Sequence, residues 1–487
     1  MRPTSARSTG IRRFSSAVEN GELSPVDETI DIANFSGQTA IDITQITGVD
    51  ISKFYAVDIV FDNAVTTTGG TNVKKGVQVS TDGGSTFLET GYMDMLPGTT
   101  SNQTLVAQAI SASTFTAWCR LTNTNQTGIP CHFKNTYNTA APSMGRINST
   151  MAVIDALRFE VSSTGDTISW VSGTIRIRGY RKAASKITTQ TDSFDGVKTE
   201  IIFNIPAGHT YATLEVEDVS AASGFGLAAR FGNGGVFRSD ADQLRQTITS
   251  GTVGSQGITE SVFWITDSSV TQDANAEFWN LNTAAPVIMA AMAGDTGSTI
   301  RNLGMSPVAT SFSQIRLFGI SASEVLLTGG TVRLTTYKIK NEVFSWAPDG
   351  SASHDFTGLG KYSGAVLASP TLTVLSATDT IRATVSGDVG ASDYRPHITA
   401  TQTQEAAFRV SEDNQTNARF SAVFTSLNSS KVSTQMAWGS NHFSGLIRQV
   451  AGLRDAAQKD TSIQVKTTGG ATMNSAPLPI YLVGYKL

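Results

Sequence analysis

The residues best suited to bind a metal or to transfer protons are the five histidines His132, His209, His354, His397 and His442. No two of them stand at the short spacing of metal ligands, and none lies in an H-E-x-x-H context. The pair His354-Asp355 lacks the second histidine that a non-haem iron oxygenase needs. We therefore predict ordinary surface or hairpin histidines, no metal site and no cofactor.

Catalytic carboxylate pairs and phosphate-binding loops would point to an enzyme. Glycoside hydrolysis needs two carboxylates that face one cleft about 5 to 9 Å apart. The chain has 40 acidic residues, so some pair will lie close by chance. It has no Walker loop and no G-x-S-x-G elbow, and Gly224-Phe-Gly226 lacks the third glycine of a dinucleotide-binding loop. The sequence predicts no catalytic residues and no enzyme, with a carbohydrate-active β-sandwich enzyme as an alternative.

Exposed tryptophans could serve as platforms on which sugar rings stack. Trp118 and Trp264 fall at matching places of an internal repeat, which favours packing inside the protein. Trp279 and Trp438 have polar neighbours and are expected to be more exposed. We treat these two as candidate glycan contacts, with burial in the core as the alternative.

One local motif consists of Ser80, Asp82, Gly84, Thr86 and Phe87. It resembles the Asp-box, Ser-x-Asp-x-Gly-x-Thr-aromatic, which is known from sialidase propellers and many other β proteins. The resemblance implies a structural hairpin turn in which the aspartate caps backbone N–H groups, a glycine adopts a positive φ and the aromatic ring packs beneath. A weaker version is expected at 410–416.

The composition predicts the kind of element that positions these residues. Charged residues are only 16% of the chain, against about 25% in an ordinary soluble protein. Neutral polar residues and glycine replace them, and these suit strand surfaces and tight turns better than helices. The net charge of −4 provides no bulk attraction to nucleic acid or to an anionic membrane. No apolar stretch approaches the ~20 residues that span a bilayer, so we expect synthesis in the cytoplasm without membrane insertion.

The N-terminal arm, residues 1–25, is the one place with a local basic bias, and its notable residues are Arg2, Arg7, Arg12, Arg13 and Phe14. We interpret it as an anchoring peptide that becomes ordered when it docks on an acidic partner surface. A frayed terminus is the alternative.

The two cysteines, Cys119 and Cys131, are too few for a disulfide framework and wrongly spaced for zinc. They could face each other across a hairpin, but two buried thiols in a reducing cytoplasm are the favoured interpretation.

Three stretches of the chain close on one pattern, and their tyrosines, Tyr180, Tyr337 and Tyr485, recur at nearly equal intervals. Each ending alternates apolar and polar residues, which is typical of a strand with one buried face. A second alternating strand precedes each ending, at 157–161, 315–317 and 463–465. Every unit is therefore expected to finish with the same pair of strands.

Further matches lie upstream. Asn-Thr-Ala-Ala-Pro occurs at 138–142 and at 282–286, with Phe133 and Phe278 just before. Tyr55-Ala-Val resembles Tyr211-Ala-Thr near the starts of two units, and Tyr394 is the proposed third member. We expect each set to occupy one structural position.

These patterns predict an all-β chain of three tandem antiparallel β-sandwich or jelly-roll-like domains after the arm. The boundaries are 26–182, 183–340 and 341–487, here named segments 1, 2 and 3. The short junctions between them favour a fairly stiff arrangement. One helix is expected at 445–458, with Leu446, Val450 and Leu453 on one face.

Units of this size that close on Gly-Thr-Ile-Arg-Ile-Arg-Gly-Tyr180, together with Val77–Phe87, resemble domains of tailed-bacteriophage virion proteins such as tail fibres, head fibres and spikes. The resemblance implies a particle component that assembles with itself, commonly as a homotrimer, and with other virion proteins. Because no heptad shaft and no collagen-like stretch occurs, a compact rod or spike fits better than a long fibre.

The expected function is therefore that of a non-enzymatic virion structural protein. The arm would attach it, and segment 3 would carry any contact with a host-surface glycan or receptor, where several weak sites suffice. A capsid or tail-tube decoration or connector protein without a receptor role is the alternative. Nucleic acid is not an expected partner.

Overall fold

The structure is a computed structural model, and it describes the chain in part. The described residues are 28–33, 36–44, 50–67, 71–89, 92–96, 99–103, 114–127, 131–137, 140–147, 152–164, 168–180, 187–238, 246–249, 252–253, 262–266, 269–295, 298–306, 308–321, 323–386, 394–398, 401–402, 407–410, 415–425, 427–428, 435–443, 446–454, 460–474 and 477–486.

Segment 1 folds into a large sheet and a small sheet. Its strands are β1 (Glu28–Ala33), β2 (Ala40–Ile43), β3 (Ala56–Thr66), β4 (Thr71–Ser80), β5 (Tyr92–Leu96), β6 (Thr99–Gln103), β7 (Thr114–Thr122), β8 (Cys131–Tyr137), β9 (Ala140–Ile147), β10 (Ala156–Thr164) and β11 (Trp170–Tyr180). The large sheet has the order β1-β11-β3-β7-β8-β9-β5-β6, and the small sheet has the order β2-β10-β4.

Segment 2 repeats this plan. Its strands are β12 (Ile187–Ser193), β13 (Glu200–Asn204), β14 (Tyr211–Asn233), β15 (Val236–Phe237), β16 (Gln246–Thr249), β17 (Thr252–Val253), β18 (Phe263–Trp264), β19 (Ser269–Trp279), β20 (Ile288–Asp295), β21 (Ser298–Met305), β22 (Gln314–Ile320), β23 (Glu324–Val325) and β24 (Leu327–Tyr337). The large sheet has the order β12-β24-β14-β19-β20-β21-β16-β17. The long strand β14 continues past it and pairs with β22 in the second layer, where β22 also pairs with β13.

Segment 3 has the same order once more. Its strands are β25 (Lys340–Trp346), β26 (Ser353–Thr357), β27 (Gly364–Asp379), β28 (Ile381–Val385), β29 (Tyr394–Ile398), β30 (Thr401–Gln402), β31 (Phe408–Arg409), β32 (Gln415–Thr425), β33 (Gln435–Phe443), β34 (Leu446–Arg454), β35 (Ser462–Thr467), β36 (Met473–Asn474) and β37 (Ile480–Lys486). The large sheet has the order β25-β37-β27-β32-β33-β34-β29-β30, and the small sheet has the order β26-β35-β28-β31.

The predicted fold class is confirmed, because antiparallel sheets account for almost all of the regular structure. Among the described residues the helices are two short 3-10 turns, Ile51–Lys53 and Leu359–Lys361. None of the helices there is long and apolar enough to cross a membrane. The helix expected at 445–458 is wrong, since β34 is a strand between β33 and β29. The spacing of Leu446 and Val450 does not distinguish the two structures, because residues four apart share a face in both a helix and a strand.

The three closing tyrosines occupy one structural position. Tyr180, Tyr337 and Tyr485 lie at the ends of β11, β24 and β37, the second strand of each large sheet. They stand opposite the first residues of β3, β14 and β27, which are Ala56, Tyr211 and Gly364. The alternating strands upstream, β10, β22 and β35, each pair with at least two strands of the second layer.

The other matching residues of segments 1 and 2 lie on strands that do not correspond to each other. Phe133 lies on β8, the fifth strand of its sheet, whereas Phe278 lies on β19, the fourth. Accordingly, residues 140–142 begin β9, whereas 282–286 lie between β19 and β20. Trp118 lies in a large sheet, whereas Trp264 pairs with the second-layer part of β14. The expected equivalence of these pairs is therefore wrong.

The starts of the units also need correction. By register, Tyr211 corresponds to Ala56 and not to Tyr55. Tyr394 belongs to β29, near the far edge of the third large sheet, so the third member is Gly364. The pleat makes a shift of one residue decisive, because it moves a side chain to the opposite face.

The hydrophobic cores lie between the two layers of strands. In segment 2, Leu214 and Leu334 of the large sheet pack in one cluster with Leu317 and Phe231 of the second layer. In segment 3, Leu367 and Leu482 pack likewise with Val465 and Val385. Each fully buried side chain of this size contributes roughly 1.5 to 3 kcal/mol.

The chain divides into two compact units. One consists of Met1–Met93, Asn102–Ala140 and Arg146–Lys182, and the other of Asp94–Ser101, Ala141–Gly145 and Ala183–Leu487. The boundaries proposed between the segments stay predictions.

Candidate functional site

The Asp-box-like motif forms a hydrogen-bonded turn at the end of β4. The Thr86 N–H and hydroxyl donate to the two carboxylate oxygens of Asp82 at 2.9 and 2.6 Å. The Ser80 hydroxyl donates to the same carboxylate at 2.8 Å and accepts the Gly84 N–H at 3.0 Å. Gly83 and Gly84 have φ angles of 75° and 84°, which glycine adopts without strain. The polar side chains of the motif are therefore hydrogen-bonded to residues of the same turn.

The carboxylate of this turn is held in its charged form. Hydrogen bonds from the Thr86 side chain, the Thr86 N–H and the Ser80 hydroxyl lower the pKa of Asp82 to about 2. A catalytic acid near neutral pH would need a raised pKa instead. The electrostatics of Asp82 therefore suit a turn and not proton transfer.

An ion pair with two hydrogen bonds connects the turn to the small sheet. The Arg158 guanidinium of β10 lies 4.1 Å from the centroid of the half-buried Phe87 ring. The same guanidinium donates two hydrogen bonds to the Asp42 carboxylate of β2, at 2.7 and 2.9 Å. The Phe87 ring thus packs on the small sheet through the arginine.

The weaker version expected at 410–416 does not hold the corresponding place. Val79, just before the turn, pairs with Leu157, and the matching pair in segment 3 is Val385 with Ile463. The counterpart of Ser80 is therefore Ser386, whereas residue 410 follows β31, beside β28. Residues 411–414 lie outside the described part of the chain.

The histidines with described side chains have structural surroundings. His209 is buried, and its Nδ1 lies 2.9 Å from the Thr336 hydroxyl, while burial lowers its pKa. His132 is also buried, so a surface position is wrong for both, but His132 lies opposite Thr122 in the β7–β8 pair and is a hairpin histidine as expected. His354 stacks on Trp346 at 4.6 Å between ring centroids. The side chains of His397 and His442 are not described. Within the described residues, no three His, Cys, Asp or Glu side chains could hold a metal ion.

The closing strands show why two of the three endings read Gly-Tyr. A side chain at Gly179 would collide with the Phe54 ring 2.5 Å away, and one at Gly484 would collide with the Tyr362 ring 2.7 Å away. Both rings directly follow the 3-10 turns, whose first carbonyl accepts the ring residue's N–H. In segment 2 the same position holds Thr336, hydrogen-bonded to His209. In segments 1 and 3 the glycine of the shared motif therefore makes room for the aromatic ring that follows the 3-10 turn.

The expectation that Trp279 is exposed is wrong. The ring is only 3% exposed and lies 4.2 Å from Tyr211 and 5.3 Å from Tyr485, measured between centroids. Tyr485 comes from segment 3, so Trp279 is buried where segments 2 and 3 meet. The side chain of Trp438 is not described, and its role as a glycan contact stays a prediction.

Tyr485 also makes polar contacts across this junction. Its hydroxyl donates to the Asn280 side-chain oxygen and accepts the Asn280 N–H at 3.0 Å. Burial raises the pKa of Tyr485, so the phenol stays protonated and can donate. Asn280 adopts a φ of 66°, a conformation that asparagine tolerates better than most residues. The sequence offered no sign of this contact, because the two residues are 205 positions apart.

Buried ion pairs are the other feature that the sequence did not indicate. Arg120 donates to both oxygens of Asp58 at 2.6 Å, and Arg454 donates to Asp460 at 2.6 Å. In segment 2, Arg333 pairs with the buried Glu215. Each pair connects a large-sheet strand with a neighbouring strand or loop.

The remaining candidate residues have little or no described structure. Arg2, Arg7, Arg12, Arg13 and Phe14 lie outside the described residues, so the anchoring arm stays a prediction. Cys119 and Cys131 are both buried, and they do not form a disulfide bond with each other.

No family model matches the chain, and no curated protein matches it. Solved structures give weak similarities. PNGF-II has a TM-score of 0.15 and 8% identity, with 88% of this chain and 98% of that chain covered. Recombinant N-glycanase F (PNGase F) has a TM-score of 0.19 and 6% identity, with 64% and 96% covered. A fructofuranosidase from Schwanniomyces occidentalis has a TM-score of 0.22 and 7% identity, with 90% and 100% covered. Similarities this low carry no argument about activity.

Proposed function

We propose that the chain is a non-enzymatic structural protein of a virus particle, of the tail-fibre, head-fibre or spike type found in bacteriophages. The observation that supports this most is the single strand order that occurs in all three large sheets. The closing tyrosines share one register position, and the glycines before two of them make room for an aromatic ring. A chain extended by copying one packing unit suits an assembly component better than a single reaction centre.

In this proposal the protein has the virion as its location and other virion proteins as its partners. The arm attaches it, and copies of the chain associate with each other, with a homotrimer favoured. Segment 3 then carries the contact with a host-surface glycan or receptor. Nucleic acid, a membrane and a cofactor have no part in the proposal.

The first experiment deletes residues 341–487 from the protein in assembled particles. It distinguishes the role of a receptor-binding appendage from that of a decoration or connector protein. The appendage proposal predicts particles that form normally and fail to adsorb to host cells. Normal adsorption by such particles would contradict a receptor role while leaving a structural role intact. Deletion of 1–25 supplies the matched control, since it should remove the protein from the particle altogether.

A further inference from the structure

Each large sheet has two faces. On one face the residues are similar in all three segments, and on the other face they differ. On the core-side face, one row crosses the second, third and fourth strands of each sheet. We call it the core row, and it consists of Ile177, Ile59 and Cys119 in segment 1, Leu334, Leu214 and Ala276 in segment 2, and Leu482, Leu367 and Ala422 in segment 3. All of these residues are buried. Segments 2 and 3 have identical core rows, and segment 1 differs only by small apolar changes.

The neighbouring row points to the opposite face, and we call it the back-face row. It consists of Arg178, Asp58 and Arg120 in segment 1, Thr335, Thr213 and Glu277 in segment 2, and Val483, Val366 and Val423 in segment 3. These nine side chains are buried as well. The same row of three positions thus carries charged residues in segment 1, two threonines and a glutamate in segment 2, and three valines in segment 3.

Interchangeable core rows create a hazard during folding. Tandem domains of similar structure misassemble by pairing a strand of one domain with the sheet of another. The core rows would tolerate such an exchange, because volume-conserving apolar changes cost little.

The back-face rows would not tolerate it. If β27 took the place of β3, Val366 would stand between the buried side chains of Arg178 and Arg120, and the Arg120 guanidinium would lose the Asp58 carboxylate. In the reverse exchange, Asp58 would be buried between Val483 and Val423. A buried charge without its partner is far more costly than a mismatch between apolar side chains.

We propose that the back-face rows select the correct strand partners within each segment and so prevent strand exchange among the three large sheets. Stability alone does not explain the ionic row, because replacing a buried ion pair by packed apolar residues is often neutral or stabilising. The selective role is independent of the virion function proposed above.

The first test copies the back-face row of segment 3 into segment 1 of the full chain, with Asp58→Val, Arg120→Val and Arg178→Val. After unfolding in denaturant and dilution, the native fraction is measured by size-exclusion chromatography and near-ultraviolet circular dichroism. We expect a thermal midpoint equal to or above that of the parent protein. The refolded native fraction should fall about twofold or more, with soluble misassembled species in its place. An undiminished native fraction would overturn the proposal.

The matched control changes the core row instead. Ile59→Leu, Ile177→Leu and Cys119→Ala give segment 1 the Leu-Leu-Ala row of segments 2 and 3. The proposal expects the refolded native fraction of this variant to equal that of the parent protein. A loss as large as that of the valine variant would contradict it, because similarity at the core row would then be sufficient to cause exchange.

A second pair of variants decides the question if the valine variant does not fold. Val366→Thr with Val483→Thr gives segment 3 the hydroxyl pair of segment 2, whereas Val366→Ala with Val483→Ala weakens packing without copying another segment. The threonine variant should give the lower native fraction and cross-links between β27 and β24, located by mass spectrometry. Equal native fractions without such cross-links would overturn the proposal.

Discussion

The carboxylate of Asp82 accepts its hydrogen bonds from residues of its own turn. It accepts hydrogen bonds from Ser80 and from both donors of Thr86, and its pKa is lowered to about 2. A carboxylate in this state is a structural anion. The residue types of the motif were sufficient to predict the turn, because every partner lies within a few positions along the chain.

The Asp82 contacts predict a pH dependence of stability. Since the pKa falls from 3.8 in the unfolded chain to about 2 in the folded protein, the stabilisation is complete above the unfolded value and is lost as the pH falls through the folded value. Asp82→Asn should therefore lower the denaturant midpoint above about pH 4, with the gap closing towards about pH 2. Glu89→Gln, an exposed change on the same loop, is the control. A gap that stays constant with pH would contradict the assigned role.

Gly330 is a second residue with a specific local requirement. It has a φ of 106°, and an added Cβ would lie 2.6 Å from the Val219 nitrogen. We expect Gly330→Ala to destabilise the protein by about 2 to 4 kcal/mol, because backbone strain and overpacking combine. Gly350→Ala is the matched control, since Gly350 has a φ of 91° with nothing within 4 Å of an added Cβ. Equal losses for the two variants in denaturant unfolding would show that the close approach is unimportant.

At the scale of elements, the closing strands could be predicted and several other matches could not. The endings at Tyr180, Tyr337 and Tyr485 alternate with period two and proved to share one register position. The Asn-Thr-Ala-Ala-Pro identity instead joined connections between different strand pairs, because a short polar turn suits many hairpins. Trp279 was misjudged since its polar sequence neighbour says nothing about the segment 3 ring that covers it.

The buried pair of Arg454 on β34 and Asp460 before β35 connects two elements of segment 3. Their side chains are 1% and 0% exposed. Asp460→Ala would leave a buried guanidinium without this carboxylate, so we expect a loss of about 3 to 5 kcal/mol in unfolding free energy. Asp192→Ala, which breaks the exposed pair with Lys198, should cost less than about 1 kcal/mol. Similar costs for both changes would show that burial of the pair does not determine its contribution.

At the scale of the whole molecule, segments 2 and 3 are joined by the contact of Tyr485 with Trp279 and Asn280. Tyr485→Phe keeps the ring and removes the hydroxyl, which leaves the buried Asn280 groups without this partner. We expect a loss of about 1 to 3 kcal/mol. The half-buried Tyr481, four residues earlier on the same face of β37, provides the control change Tyr481→Phe. The measurement is denaturant unfolding, and an unchanged midpoint for Tyr485→Phe would show that the hydroxyl does not stabilise the junction.

The central claim is that a copied β-sheet unit serves assembly in a virus particle and carries no reaction. Its most direct test is immunogold electron microscopy with antibodies raised against the recombinant chain, applied to purified particles from the host in which the chain is made. We expect gold label at a fixed location on intact particles, together with the chain in their protein composition. Particles that contain none of the chain would contradict the claim.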